Sequence, residues 1–398
     1  MRILILTHRV PFPQNGGYPI VVGNTVKGLV SLGHDVSLIS INVKKRSGKI
    51  TERDELLDKI RYIEYDIDTR LTMVEAFSNL FTKNPYNIDK YYNAGFERLL
   101  VKDIKENNYD IIQFEGLFVA PYLSAIRKTT KAKLIFRAHN IEHQVWQKLA
   151  QQKSDPIKRW YLSLLARRIK TYELELLDKF DGIVVFTGQD KNTMLSYGTK
   201  IPISVLPIGV DLSKYQPDEL KTEFPSLFFL GSLDWLPNRE GIEWFIDNFH
   251  KDLTAGRLKV KFYVAGHNIP EAYDEYEVPG KVFIQGEVDD ALEFVNSKSI
   301  MIVPLLSGGG MRVKIVEGMA MQKCIISTSL GAEGINFTHG TNIIIANNTD
   351  EFQEALSKCI ADEHYSREIG RNARKLIEEE HDVHAITTDL AGFYQSII

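Results

Sequence analysis

Apolar residues in this chain fall into two patterns. Short unbroken runs end at glycines or polar loops, and between them lie stretches where apolar positions recur every three or four residues. The runs predict strands buried on both faces of a parallel sheet, and the three-to-four spacing predicts amphipathic helices. Residues 2–6 form the first run, followed by a loop holding Pro11, Pro13, Gly16 and Gly17. A helix then continues to about Leu32, where Gly33 stops it, and residues 35–40 form the next strand. Further strands are predicted at 110–114, 133–138 and 181–186, the last closing a first domain, with helices at 85–108 and 154–179. Pro202, Pro207, Gly209 and Pro217 place a boundary near residues 201–216. A second series follows, with strands at 227–230, 260–265, 282–284, 299–306 and 325–327 and a helix at 238–249. Three amphipathic helices run from 349 to the end. The repeated strand–loop–helix scheme predicts an α/β protein of two Rossmann-like doubly wound domains, residues 1–205 and 206–381.

The most informative junction follows the strand at 299–306. Gly308, Gly309 and Gly310 come next, and from Met311 the residues Val313, Val316 and Ala320 recur at helical spacing. A helix N-terminus exposes unpaired N–H groups and the positive end of the helix dipole, which disfavours cations there. Arg312 and Lys314 nevertheless stand in that first turn. A shared bound anion, most simply a phosphate, reconciles them. Glu317 lies one turn beyond Lys314 on the same side, where a carboxylate can accept from a ribose diol.

Composition narrows the class. With 398 residues and 44% hydrophobic content, two folded domains are expected and disorder is not. No apolar run reaches the roughly 20 residues of a membrane span, and the start of the chain reads as a strand instead of a signal peptide. Cys324 and Cys359 are the only cysteines. Cys324 sits in an apolar stretch that reads as core, and the pair suits a reducing cytoplasm and argues against a cysteine metal site.

The net charge of −4 is unevenly spread. Residues 1–200 hold 31 Lys+Arg against 22 Asp+Glu, or +9, which leaves −13 for residues 201–398. Either the basic half meets an anionic partner or the two halves attract each other. Neither zinc-finger spacing nor an aromatic-interleaved basic motif points to nucleic acid, so an anionic membrane face or a phosphate-bearing acceptor is the partner expected. The predicted helix at 154–179 carries Lys158, Arg159, Arg167, Arg168 and Lys170 among Trp160, Tyr161 and leucines, a composition that can lie on a membrane surface.

Polar residues just past strand ends face ligands in parallel sheets. Glu115, His139 and Asn140 occupy such positions, and Gly16-Gly17 either admits close backbone approach to a ligand or forms an ordinary turn. His139 and His143 around Glu142 lack the His-Glu-x-x-His spacing of a helical zinc site, so His139 reads as a polar ligand contact. Asp66 and Asp68 form an Asp-x-Asp, a pattern too common by chance to predict a metal. The charged residues 44–54 read as a surface loop.

These motifs resemble the retaining family-4 glycosyltransferases (glycosyl transferases group 1) of the GT-B fold. The likeness spans nearly the whole chain. It is strongest over residues 304–334, with 206–211 and 231–238 in support. It implies two Rossmann-like domains facing across a cleft, with residues 382–398 returning to the first domain. It also implies a nucleotide-diphosphate sugar donor on the second domain, a glycan or lipid-linked acceptor on the first, and no metal or other cofactor. By position, Arg312 and Lys314 correspond to the basic pair that holds the diphosphate, and Glu317 to the ribose-binding second Glu of the Glu-x7-Glu signature. Gly308, Gly309, Gly310, Gly209 and Gly231 fall on the donor side. His139 corresponds to a histidine near the reaction centre, and Gly16, Gly17, Glu115 and Asn140 fall on the acceptor side. Two departures stand out. Gly309 occupies the place of the first signature Glu, and residues 231–238 replace the usual Gly-Arg…Lys-Gly segment. The resemblance implies metal-independent sugar transfer with retention, in bacterial cell-surface polysaccharide synthesis, in the cytoplasm and at the inner face of the membrane. A nucleotide-sugar epimerase of the same architecture and a non-catalytic scaffold remain open as alternatives.

Overall fold

The structure is a computed structural model describing residues 1–14, 16–43, 55–70, 85–152 and 154–398. The loop expected at 44–54 lies outside the described residues. The chain divides into two compact units, Met1–Gly209 with Val383–Ile398, and Val210–Asp382.

In the first unit the strands are β1 (Arg2–Thr7), β2 (Asp35–Val43), β3 (Arg61–Ile67), β4 (Ile111–Glu115), β5 (Lys133–Ala138), β6 (Gly182–Val185) and β7 (Ile203–Val205). They form a parallel sheet in the order β3-β2-β1-β4-β5-β6-β7. Alternate residues of β1 feed two cores. Ile3 and Ile5 pack with Val22, Val26 and Leu29 of α1 (Gly17–Ser31), whereas Leu4 and Leu6 pack on the opposite face with Phe96 and Leu100. Both faces of the strand are therefore buried, which is why its sequence is unbroken apolar. The sheet does not end at β6 as the sequence suggests. A short helix, α2 (Gly188–Ser196), leads into β7, whose three residues are too few to register as a periodic run.

The helix expected over 85–108 is two helices, α3 (Tyr86–Asp89) and α4 (Ala94–Asn107). Asn93 separates them because its side chain accepts from the backbone N–H groups of Gly95 and Phe96 and caps α4. The long basic helix is α5 (Pro156–Leu177), capped by Asp155 and preceded by α6 (Glu142–Gln151). The final helix, α7 (Val383–Ile397), packs on α1, where Thr387 fills the space that a side chain at Gly28 would need. Its Tyr394 hydroxyl donates to the buried Gln113 side chain of β4.

The second unit contains β8 (Ser226–Leu230), β9 (Lys261–Ala265), β10 (Val282–Gly286), β11 (Ile300–Val303), β12 (Cys324–Ser327) and β13 (Ile344–Ile345). Their order is β10-β9-β8-β11-β12-β13, again parallel. Its core joins Leu227, Phe229, Phe245, Phe262, Ile302 and Ile326. The helix expected at 238–249 starts earlier and ends later, as α8 (Leu236–Thr254), because Pro237 fits a first helical turn. Cys324 and Cys359 are buried free thiols with sulfurs 3.7 Å apart.

Both sheets reverse their strand order at one point, between β1 and β4 in the first unit and between β8 and β11 in the second. In open α/β sheets, the crevice beyond the carboxyl ends of such a strand pair is where ligands bind. In the second unit β8 and β11 pair only at Ile300↔Leu227 and Met301↔Phe228, and their pairing stops before the strands end at Leu230 and Val303.

Candidate functional site

The glycine loop leaves β11 at this switch point. Gly308 and Gly310 have φ of +106° and +80°, and a side chain at Gly308 would lie 3.0 Å from the Arg312 guanidinium and 3.3 Å from Trp235. Glycine is therefore required there twice over, by the left-handed backbone and by space. The loop delivers the chain into α9 (Val313–Ala320). Arg312 is the helix cap residue, and no side chain caps the helix.

Arg312 is 94% removed from solvent, its relative exposure being 6%. Its Nη1 donates to the carbonyls of Gly309 and Gly310, the latter at 2.5 Å, and the guanidinium lies 5.2 Å from the Trp235 ring centre. Its Nε and Nη2 are buried and unpartnered among the described residues. Burial lowers its pKa to about 10, which the Glu333 charge only partly opposes. Lys314 is half-buried. Its Nζ donates to Asn238 Oδ1 at 2.7 Å and sits 4.5 Å from the Phe229 ring centre. Burial, and then the Arg312 charge, bring its pKa down to about 7. Gly231 makes room for this arrangement, since a side chain on it would meet Asn238 at 2.7 Å and Lys314 at 3.1 Å. Glu317 does not pair with Lys314. Its Oε1 accepts from the Tyr215 hydroxyl at 2.6 Å, and burial raises its pKa despite that bond. Asn238, Tyr215 and Trp235 were not singled out by sequence. Asn238 lies 76 residues from Lys314 and Tyr215 lies 102 residues from Glu317, so no local pattern signals either pair.

In the first unit, Gly16 and Gly17 are exposed at the start of α1, with Gly16 at φ +101°. His139 follows β5 and is 13% exposed. Its Nε2 meets Glu115 Oε2 at 2.6 Å, and the ring packs 4.7 Å from that of Tyr18. Asn140 bonds the Glu142 side chain, and Glu142 is raised to about 8 by burial and by Glu173. His143 is no ligand contact. It is buried, with Nδ1 2.6 Å from Glu173 and Nε2 3.0 Å from the Tyr197 hydroxyl.

Two expected site residues are corrected. Glu115 is fully buried, with Oε1 accepting from Gln113 at 2.5 Å and Oε2 engaged by His139, so its carboxylate supports the histidine and does not reach an acceptor. Burial pushes that carboxyl up, but Arg137, His139 and Gln113 together hold its pKa below the ordinary value. Gly209 is also buried. Its carbonyl accepts from Asn24 at 3.0 Å and its Cα faces Val383, so it packs α1 and α7 together and offers no surface to a donor. Asp68 of the Asp-x-Asp is ion-paired with Arg70 at 2.5 Å, and no cluster of three metal-ligating side chains occurs among the described residues.

Comparison with known proteins gives the family and the fold. Residues 224–362 match the family described as Glycosyl transferases group 1, and residues 15–214 match Glycosyltransferase Family 4. An uncharacterized 44.6 kDa protein in the cps region of Klebsiella pneumoniae is 24% identical over 393 residues, spanning 96% of each chain. Among solved structures, sucrose-phosphate synthase from Thermosynechococcus elongatus superposes with a TM-score of 0.73 at 15% identity, over 100% of this chain and 99% of that one. Anabaena HepE in complex with UDP gives a TM-score of 0.69 at 14% identity over the full length of both chains. With two parallel six- and seven-stranded sheets, these likenesses and a family match covering half its length, the chain belongs to Glycosyltransferase Family 4 and is a glycosyltransferase of the GT-B fold.

Proposed function

We propose that this enzyme moves a sugar, with retention of anomeric configuration and without a divalent metal, from a nucleotide-diphosphate sugar to a glycan or lipid-linked acceptor during bacterial cell-surface polysaccharide synthesis. The observation that carries this reading is the pair of cations Arg312 and Lys314. Both are withdrawn from solvent at one helix start, and neither has a carboxylate partner within ion-pair distance among the described residues. Such an arrangement is costly for an empty site and favourable around a diphosphate, which supplies the missing acceptors.

Transfer separates an anionic nucleoside diphosphate from an oxocarbenium-like sugar, so stabilising charge on the leaving group lowers the barrier most. The two Arg312 nitrogens without partners, the Lys314 ammonium and the α9 N-terminus act there, each charge-assisted bond contributing about 1.5–3 kcal/mol. A retaining glycosidase needs two carboxylates about 5 Å apart, and no such pair is assigned here. The reading is therefore same-face attack, with the departing diphosphate taking the acceptor proton. His139, held at Nε2 by Glu115, keeps its other ring nitrogen for a ligand at the carboxyl end of β5. Gly16, Gly17 and Asn140 border the same strand ends for an acceptor.

The donor class draws support from HepE, whose structures hold UDP and UDP-glucose, and the polysaccharide role from the relative in the cps region. No helix among the described residues is long and apolar enough to cross a membrane. We place the enzyme in the cytoplasm, at an anionic membrane face, with Ile157 and Trp160 (77% and 62% exposed) among Lys158 and Arg159 as the contact. The test is Arg312→Ala, expected to lose more than about a hundredfold in transfer while its circular dichroism and melting stay near wild type. Near-normal turnover of that variant refutes the assignment.

A further inference from the structure

The donor reading gives Glu317 to the ribose, but its carboxylate is not simply free to serve. It stands half-buried on α9, and Tyr215, which is 7% exposed, donates its hydroxyl to Oε1 at 2.6 Å. Tyr215 is itself fixed from behind. Arg374 Nη1 donates to the Tyr215 carbonyl at 2.7 Å and to the Ala320 carbonyl at 2.6 Å, which ties the backbone at residue 215 to the C-terminal end of the helix that carries Glu317. The Arg374 Nε in turn donates to Glu378 at 2.7 Å, one turn along its own helix. The phenol ring is thus held at a set height along α9, and its single O–H can satisfy only one carboxylate oxygen.

A glutamate has three side-chain torsions, and without a partner it samples several rotamers. A hydroxyl fixed on Oε1 selects one of them and leaves Oε2, which has no protein partner among the described residues, as an acceptor for a ligand. A ribose diol brings two O–H donors to such a carboxylate. Resting on the donor reading, we propose that Tyr215 is the positioning residue for Glu317, and that its hydroxyl gives the site its preference for ribose over deoxyribose. Tyrosine is needed for this, because phenylalanine would fill the same space and leave Oε1 without its donor.

The experiment measures dissociation constants by calorimetry for UDP, 2′-deoxy-UDP and 3′-deoxy-UDP, with the GDP and ADP series beside them, on the full chain. Wild type, Tyr215→Phe and Glu317→Gln are compared, and melting temperature checks folding. Wild type is expected to favour the ribonucleotide over each deoxy analogue by about tenfold or more, as loss of a hydrogen bond to a charged group implies. Glu317→Gln should lose most of that preference. Tyr215→Phe should lose at least about threefold of it by weakening the ribonucleotide alone, with the deoxy analogues bound as before. A wild-type ratio near one, or no binding in any series, overturns the ribose role of Glu317 and this inference with it. A normal wild-type ratio that Tyr215→Phe leaves unchanged overturns the inference about Tyr215 alone. Equal weakening of ribo and deoxy ligands shows a merely structural tyrosine and overturns it too.

Discussion

The diphosphate role proposed for Lys314 makes donor binding a proton-linked event. In the unliganded protein its ammonium is half-buried beside Arg312, and its pKa is lowered to about 7, first by burial and then by the neighbouring charge. A diphosphate bound there would supply the missing negative charge and return the pKa toward its ordinary value of about 10.4. The ligand then binds the protonated form, so raising the pH through the unliganded pKa weakens binding. Between pH 6.5 and 8.5 the dissociation constant should rise about 25-fold, or about 1.9 kcal/mol, with about 0.9 proton taken up per donor at pH 8. UDP-glucose is a suitable ligand, because its diphosphate is fully ionised throughout and the range stays below the titration of uracil. Calorimetry in two buffers of different ionisation enthalpy reads the proton count directly. Lys314→Arg, which stays charged, should flatten the profile while retaining affinity, and Lys314→Met should bind weakly at every pH. A wild-type dissociation constant that is flat from pH 6.5 to 8.5, with no proton uptake, would refute the buried ammonium as the diphosphate ligand.

Two other expectations concern stability and location. Asp103 is 3% exposed and accepts from the half-exposed Arg61 at 2.6 Å and from the Tyr109 hydroxyl at 2.8 Å, so Asp103→Ala should lower the unfolding free energy by about 1–3 kcal/mol in urea titration, chiefly by leaving the buried hydroxyl without this acceptor. The enzyme should co-sediment with vesicles containing about one-third phosphatidylglycerol and not with pure phosphatidylcholine. The double variant Ile157→Ser with Trp160→Ser should lose that binding without losing soluble-acceptor transfer, and unchanged sedimentation would remove the membrane assignment from this helix.

The Lys314 effect also bears on folding. A lysine whose folded pKa lies below its unfolded one binds fewer protons when folded, so between about pH 7 and 10.4 stability rises with pH, and the cost of holding the charge is fully present below pH 7. On the proposed role, the site trades folding stability for affinity toward an anion.

What the sequence determined by itself is the local grammar. Unbroken apolar runs made strands because both faces of a parallel sheet are dry, Gly33 ended α1, and three glycines before Arg312 marked a strand-to-helix turn. These features depend on neighbours a few residues apart, and so the doubly wound α/β class is legible in the sequence alone. The β7 strand and the break at Asn93 were not, since three residues carry no period and a cap inside a helical pattern looks like one more polar position. Only the tertiary structure decided which polar groups face a ligand. It buried Glu115 behind His139, turned the Gly209 carbonyl onto Asn24, gave Lys314 to Asn238 and gave Glu317 to Tyr215. The physical reason is that burial and hydrogen-bond partnership are set by chain segments far apart in sequence. A residue type at a strand end names the chemistry available there, and only the packing around it determines whether that chemistry is spent inside the protein or left for a substrate.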